Sequence, residues 1–135
     1  MMDNNVEIIS RNGQPLCYVI RKDVHPDKTT FITPPDGKQQ VGFIVYQKGG
    51  VIARHTHKPL ERRIVGMAEV VVVRSGHCLI EVYDDSLSLV TTRDLFEGDV
   101  VLMVGGGHGF QVIDDTVLLE IKQGPYLGKD DKELF

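Results

Sequence analysis

The sequence contains no tryptophan and only two cysteines, Cys17 and Cys78, in 135 residues. The two cysteines form no CxxC pair and do not have the spacing of a disulfide framework. We therefore expect both thiols to act as small, buried apolar side chains in a reducing compartment.

Long hydrophobic runs are also missing. The longest run of one apolar residue type, Val70–Val73, has four residues, whereas a membrane-spanning helix needs about 20. The first residues, MMDNNVEIISRNGQ, have acids and amides where a signal peptide has a basic region and an apolar region. These absences predict a cytoplasmic protein that makes no use of a membrane.

The chain has no excess of basic residues. Fifteen Lys and Arg stand against 19 Asp and Glu, which gives a net charge of −4. Binding to nucleic acid requires neutralisation of backbone phosphates, so this balance argues against a nucleic-acid partner. We expect a small molecule as the partner of a single domain that spans residues 1–135.

Most apolar residues of the chain alternate with period two, which is typical of strands that are buried on one face. Asn12-Gly13 is a strong hairpin signal between the first two segments. A short helical turn at Thr92–Phe96 and an exposed, charged tail at 126–135 are the exceptions that we predict. Ten strands are expected in an all-β sandwich or barrel: Val6–Ser10, Leu16–Ile20, Val41–Gln47, Val51–His57, Ala68–Ser75, Cys78–Tyr83, Leu87–Thr92, Val100–Val104, Gly107–Ile113 and Thr116–Gln123.

The segment His55-Thr56-His57 places two imidazoles on one face of the predicted strand 51–57, since side chains alternate across a strand. Arg54 lies on the opposite face. An unpaired arginine is costly to bury, so we expect Arg54 to face solvent and both histidines to face the interior.

The same argument applies to two later strands. In strand 68–75 we expect Arg74 to face solvent. Glu69 lies on the opposite face of that strand, so it should point inward. His108 shares a face with Phe110 and Val112. A carboxylate inside an apolar fold must be neutralised, and a divalent cation can do this while the histidines complete its coordination shell. We therefore predict a metal site made by His55, His57, Glu69 and His108.

These residues resemble the two motifs of the cupin superfamily. The first motif, G(X)5HXH(X)3-4E(X)6G, is approximated by Gly49, His55, His57, Glu69 and Gly76, and the second by Gly98, Val104, Gly106 and His108. The gap from His57 to Glu69 is longer than the motif allows. Glu61 has the shorter spacing but is not followed by the motif's glycine, so Glu69 is the preferred carboxylate and Glu61 the alternative.

The resemblance implies a double-stranded β-helix (a jelly roll), a homodimer, and one divalent transition metal ion, with Fe, Mn, Ni and Zn all compatible. It favours a metal-dependent enzyme of oxygenase, isomerase or lyase type that acts on a small metabolite or sugar derivative through a His3Glu centre. Two alternatives stay open. One is a non-catalytic ligand-binding or sensor protein, and the other is a metal-free nucleotide-sugar isomerase in which a histidine of His55-Thr56-His57-Lys58 acts as the base.

Candidate pocket residues lie next to the predicted metal site. Arg62 and Arg63 follow the His-Thr-His strand, and they form either a solvated loop or a binding site for an anionic substrate group. Phe110 and Val112 should line the pocket wall, although both would also serve as core residues.

Overall fold

The computed structural model describes residues 6–135 and consists mainly of antiparallel β-sheets. The prediction of an all-β fold is therefore confirmed. The elements are β1 (Val6–Arg11), β2 (Gln14–Ile20), β3 (Thr30–Phe31), β4 (Gly42–Phe43), β5 (Glu69–Ser75), β6 (His77–Tyr83), β7 (Leu89–Phe96), β8 (Val100–Met103), β9 (Gly107–Val112), β10 (Val117–Lys122) and a 3-10 helix at Gly128–Asp131.

The strands form two larger sheets. A five-stranded sheet has the order β1-β2-β8-β5-β10, and a three-stranded sheet has the order β7-β6-β9. The short strands β3 and β4 pair only with each other. In this arrangement β9 and β10 each pair with one strand, so each has one backbone edge without a partner among residues 6–135.

The main core lies between the two larger sheets, because its buried side chains come from both. Val71 and Val73 of β5 pack in one cluster with Ile80 and Val82 of β6, which confirms that Val71 and Val73 point inward and Arg74 outward. Cys17 and Cys78 are also fully buried there. Burial raises the pKa of Cys17 to about 12, as expected for a thiol that serves as an apolar side chain.

A second cluster covers the other face of the five-stranded sheet. Val70 and Leu102 pack there with Ile32 and Ala68 from the connecting segments. The five-stranded sheet is therefore apolar on both faces at its centre, which explains why β5 contains a run of four valines rather than a strict alternation.

Glycine turns determine where two strands begin. Asn12 and Gly13 both have positive φ, 53° and 78°, and they close the predicted β1–β2 hairpin. Gly106 has φ 62°, and a Cβ there would overlap the Tyr83 carbonyl oxygen. This close approach brings the start of β9, and with it His108, against the end of β6.

One predicted element between β6 and β8 was wrong, and the predicted strand Leu87–Thr92 is confirmed only from Leu89 onward. The segment Thr92–Phe96 is not a helical turn but the second half of β7, where Leu95 is fully buried and pairs with Cys78. Leu87 has φ 63° and belongs to the preceding turn. Packing of Leu95 against the core, together with pairing to β6, extends the strand through this segment.

The predicted strands Val41–Gln47 and Val51–His57 are largely absent. Only Gly42–Phe43 is paired, and residues 44–66, which we call the arm, contain no strand. Every side chain from 46 to 66 is exposed. The prediction of strand 51–57 was therefore wrong for this structure, because an alternating segment becomes a strand only when a neighbour satisfies its backbone groups.

The tail at 126–135 is mostly exposed, as predicted, and carries the 3-10 helix Gly128–Asp131. Its last residue, Phe135, packs its ring edge-on against Tyr83, with ring centroids 5.0 Å apart. Within residues 6–135 we find no helix that is long and apolar enough to cross a membrane.

We expect Gly106→Ala to destabilise the protein more than Gly13→Ala. Both residues have positive φ, so alanine is strained at either position, by about 1–2 kcal/mol. Only at Gly106 does the new Cβ also meet backbone, whereas nothing lies within 4 Å at Gly13. Urea unfolding should show an additional loss of about 1–3 kcal/mol for Gly106→Ala. Equal losses in the two variants would contradict the close approach of Gly106 to Tyr83.

Candidate functional site

Glu69 and His108 come together between the two sheets. Glu69 is the first residue of β5 and His108 the second residue of β9. His108 Nε2 lies 3.5 Å from Glu69 Oε1. The His108 side chain is 30% exposed and the Glu69 side chain is 14% exposed. Two of the four predicted metal ligands are therefore neighbours, although they are 39 positions apart in sequence and belong to different sheets.

The environment of Glu69 favours its charged form. The His108 ring holds the pKa of Glu69 below its usual value, with smaller contributions from Glu120 and Lys122, while partial burial acts in the opposite direction. A carboxylate that stays ionised in a half-buried position is suited to bind a cation or to orient an imidazole.

Two further polar residues, Glu120 and Lys122, lie beside this pair. Leu118 of β10 packs against the main core, so Glu120 and Lys122, which alternate with it, share its inward-facing side. Lys122 is paired in register with Glu69, and its Nζ lies 3.4 Å from Glu120 Oε2. We did not predict these residues as part of the site, although the alternation Leu118, Glu120, Lys122 was a usable signal once Leu118 was known to face the core.

His55 and His57 lie on the exposed arm and do not join the Glu69–His108 pair. Their ring centroids are 5.3 Å apart, and His55 Nδ1 is 2.7 Å from the Ala53 carbonyl oxygen. The prediction that both histidines face the interior was therefore wrong for this structure, because strand 51–57 is not paired. Within residues 6–135, no three His, Cys, Asp or Glu side chains are grouped closely enough to hold a metal ion.

The predicted pocket residues are also divided between the arm and the sandwich. Arg62 and Arg63 are exposed on the arm, as is the alternative carboxylate Glu61. Phe110 packs against the main core and meets the His108 ring edge-on at 6.0 Å. Val112 is 64% exposed, so it lines no enclosed pocket in this structure.

A surface concavity of about 650 Å³ lies elsewhere, between residues 21–23 and strand β7. Its buried carboxylate, Asp99, accepts hydrogen bonds from Arg21 Nη1 and from the backbone N–H groups of Lys22 and Phe96, at 2.9–3.0 Å. These hydrogen bonds connect the residue before β8 to residues 21–22 and to the end of β7, so we interpret Asp99 as a structural residue.

Comparison with known proteins found no matching family model, no matching curated protein and no matching solved structure. The resemblance to cupins therefore remains a prediction that depends on the motif residues, and what the structure adds is the contact between Glu69 and His108.

We expect Glu69→Gln to weaken the dependence of stability on acid pH. Because the pKa of Glu69 is lower in the folded protein, its contribution to stability is complete above the pKa of the unfolded chain and is lost as the pH falls through the folded pKa. Urea unfolding between pH 3 and 7 should show a variant that is roughly 1 kcal/mol less stable at neutral pH, with the difference vanishing in acid. The exposed Glu61→Gln serves as control, and parallel curves for wild type and Glu69→Gln would contradict the interpretation.

Proposed function

We propose that this protein binds a divalent transition metal ion through Glu69 and His108 of the sandwich together with His55 and His57 of the arm. The observation that supports the proposal is the 3.5 Å approach of Glu69 and His108 between the sheets. This half-buried carboxylate and its neighbouring imidazole would supply two of the ligands, and His55 and His57 would supply the other two.

The donor set fits such an ion. Imidazole nitrogen and carboxylate oxygen together suit Fe, Mn, Ni and Zn, and the geometry of this site does not separate the four. The cation would neutralise Glu69, a half-buried carboxylate whose charged form His108 and Lys122 already favour. We choose Glu69 as the carboxylate because it lies next to His108. Glu61, which is exposed on the arm like His55 and His57, is the alternative.

The proposal includes a complete double-stranded β-helix, in which the arm supplies the strand that the three-stranded sheet lacks. The free edge of β9 is the place for segment 51–57, and Arg54 then faces solvent while His55 and His57 face His108. Alternation within the segment and the unpaired edge support this arrangement.

The function that fits this site best is a metal-dependent enzyme for a small metabolite or sugar derivative. A bound metal would act as a Lewis acid or activate oxygen. Other side chains of the chain would contact the substrate. Lys122 and Glu120 lie beside Glu69 on the inward-facing side of β10. Arg62 and Arg63 on the arm would bind an anionic group of the substrate. A ligand-binding or sensor protein built on the same site is the non-catalytic form of this proposal.

A second candidate function is metal-free acid–base catalysis. One observation favours it: Glu69 and His108 are in contact although no residue of the arm takes part. In this case His108 would accept or donate the proton, and Glu69 would orient the ring and stabilise its charged form. The two candidates differ only in the role of His55 and His57, which the metal site needs and the acid–base pair does not.

Metal analysis separates the two candidates. Protein purified without a nickel column should contain about one transition metal ion per chain. His55→Ala, His108→Ala and Glu69→Gln should each lose most of it, because each removes one ligand. Elemental analysis by mass spectrometry measures the content directly, and circular dichroism checks that each variant is folded.

Glu61→Gln is the matched control, since it makes the same chemical change on an exposed side chain of the arm. It should retain the metal. Loss of metal in Glu61→Gln but not in Glu69→Gln would show that the carboxylate was misassigned, and unchanged metal content in both histidine variants would overturn the metal site.

A further inference from the structure

The tail at 126–135 connects the two sheets at the end of the sandwich where Glu69 and His108 meet. It follows β10, whose last residue, Lys122, is paired in register with Glu69. At the other end of the tail, Phe135 packs against Gly107, the residue before His108. The tail therefore starts beside one member of the candidate site and reaches the strand that carries the other.

The contact between Phe135 and the three-stranded sheet is close. The Phe135 ring packs edge-on against Tyr83, with ring centroids 5.0 Å apart. A Cβ added to Gly107 would lie 2.8 Å from Phe135 Cζ, so the glycine leaves the space that the ring occupies. Tyr83 and Gly107 are paired in register, next to the pair of Val82 and His108. Because Val82 points into the core, the Phe135 ring lies on the outer face of this sheet.

The middle of the tail lies near the five-stranded sheet. Glu120 contributes most to raising the pKa of Lys122, and Glu69 and Asp131 add to this rise. The Asp131 carboxylate, at the end of the 3-10 helix, is therefore close to the Lys122 ammonium group. Four residues of extended chain span at most about 14 Å, so the segment from Asp131 to Phe135 crosses from one sheet to the other over a short distance.

Few contacts fix the tail to the sandwich. Gln123 Oε1 accepts a hydrogen bond from the Ala68 backbone N–H at 3.1 Å. Beyond Gln123, we find no hydrogen bond within residues 6–135 that joins the tail to either sheet, and the Leu127 N–H donates to Asp131 of the tail itself. The other large apolar side chains of the tail are exposed: Tyr126, Leu127 and Leu134. A segment with so few buried contacts opens at a low free energy, and Phe135 is the contact that holds its far end.

We infer that the tail is a strap that closes over the candidate site, with Gln123 as its fixed end and the Phe135 ring as a latch that can be released. Release of the ring opens this end of the sandwich and exposes His108 to a ligand, and docking of the ring closes it again. Segments that close over a site in this way exclude water and retain the bound ligand. The inference rests on the proposed function only in taking Glu69 and His108 as the site, and it requires neither a metal nor the arm.

Chemical modification of His108 tests the strap. Diethyl pyrocarbonate acylates accessible imidazoles, and the tryptic peptide 94–122 contains His108 as its single histidine, so mass spectrometry can follow this residue alone. His25 is exposed and lies in another tryptic peptide, so it serves as the internal reference for the reagent. The reaction is carried out in EDTA, which makes the result independent of metal binding.

Phe135→Ala should raise the rate of His108 modification about fivefold, since loss of an edge-on aromatic pair shifts an opening equilibrium by that order. Gly107→Ala should have the same effect, because the new Cβ takes the place of the Phe135 ring. Gly107 does not have positive φ, so alanine is not strained there. The double variant should react no faster than Phe135→Ala alone, since both changes remove the same contact.

Gly109→Ala is the matched control for Gly107→Ala. It adds the same methyl group to the same face of β9, where it would meet Glu81 Oε1 at an ordinary distance of 3.7 Å. Leu134→Ala, which changes an 89% exposed side chain, is the control within the tail. Both should modify His108 at the wild-type rate. The fully buried Cys17 and Cys78 should stay unreactive toward a thiol reagent in every variant, which shows that the opening is local.

Trypsin cleavage after Lys129 and Lys132 reports release of the tail separately. Faster cleavage together with faster His108 modification in Phe135→Ala would support the strap. Faster cleavage with His108 unchanged would show that the tail does not cover the site, and no change in either would show that Phe135 is not a latch; each result overturns the inference. Reactive cysteines in both Phe135→Ala and Gly107→Ala would also overturn it, since the ring would then hold the whole fold. Unchanged metal content in the ligand variants would reject the metal site but leave these results standing.

Discussion

The need of every strand for a hydrogen-bonded neighbour is the constraint on which this structure depends. Residues 6–20 satisfy it locally through a tight hairpin, and β5 satisfies it between β8 and β10. The arm has the composition of a strand but no neighbour, so its side chains remain exposed. The two larger sheets keep four outer strands, β1 and β10 in one and β7 and β9 in the other, and each has one edge without a partner among residues 6–135.

The candidate site is a consequence of how the two sheets face each other. Glu69 begins a strand of one sheet and His108 lies near the start of a strand of the other, so only the packing of the sheets brings them to 3.5 Å. The glycine turn at 105–107 fixes where β9 begins, since the chain there passes directly against Tyr83. Lys122 and Glu120 join the pair because β10 is registered against β5.

Sequence patterns were reliable where an element is local or where a charge identifies the outward face. Asn12-Gly13 predicted the first hairpin, and Arg74 correctly placed Val71 and Val73 in the core. The same argument failed at Arg54, because it assumes that a strand exists and asks only which way it faces. Thr92–Phe96 was misjudged for a related reason: pairing with β6 decides its conformation, and that pairing is not visible in five residues.

By itself the sequence determined the all-β class, the two buried cysteines, the first hairpin and the inward direction of Glu69 and His108, since these follow from alternation, turn chemistry and the cost of burying charge. Only the tertiary structure decided that Glu69 and His108 are neighbours, that Glu120 and Lys122 stand beside them, and that His55 and His57 lie on an unpaired arm. The physical reason is that strand pairing and sheet packing join residues that are far apart in the chain. No local sequence pattern shows which strand a given segment will pair with.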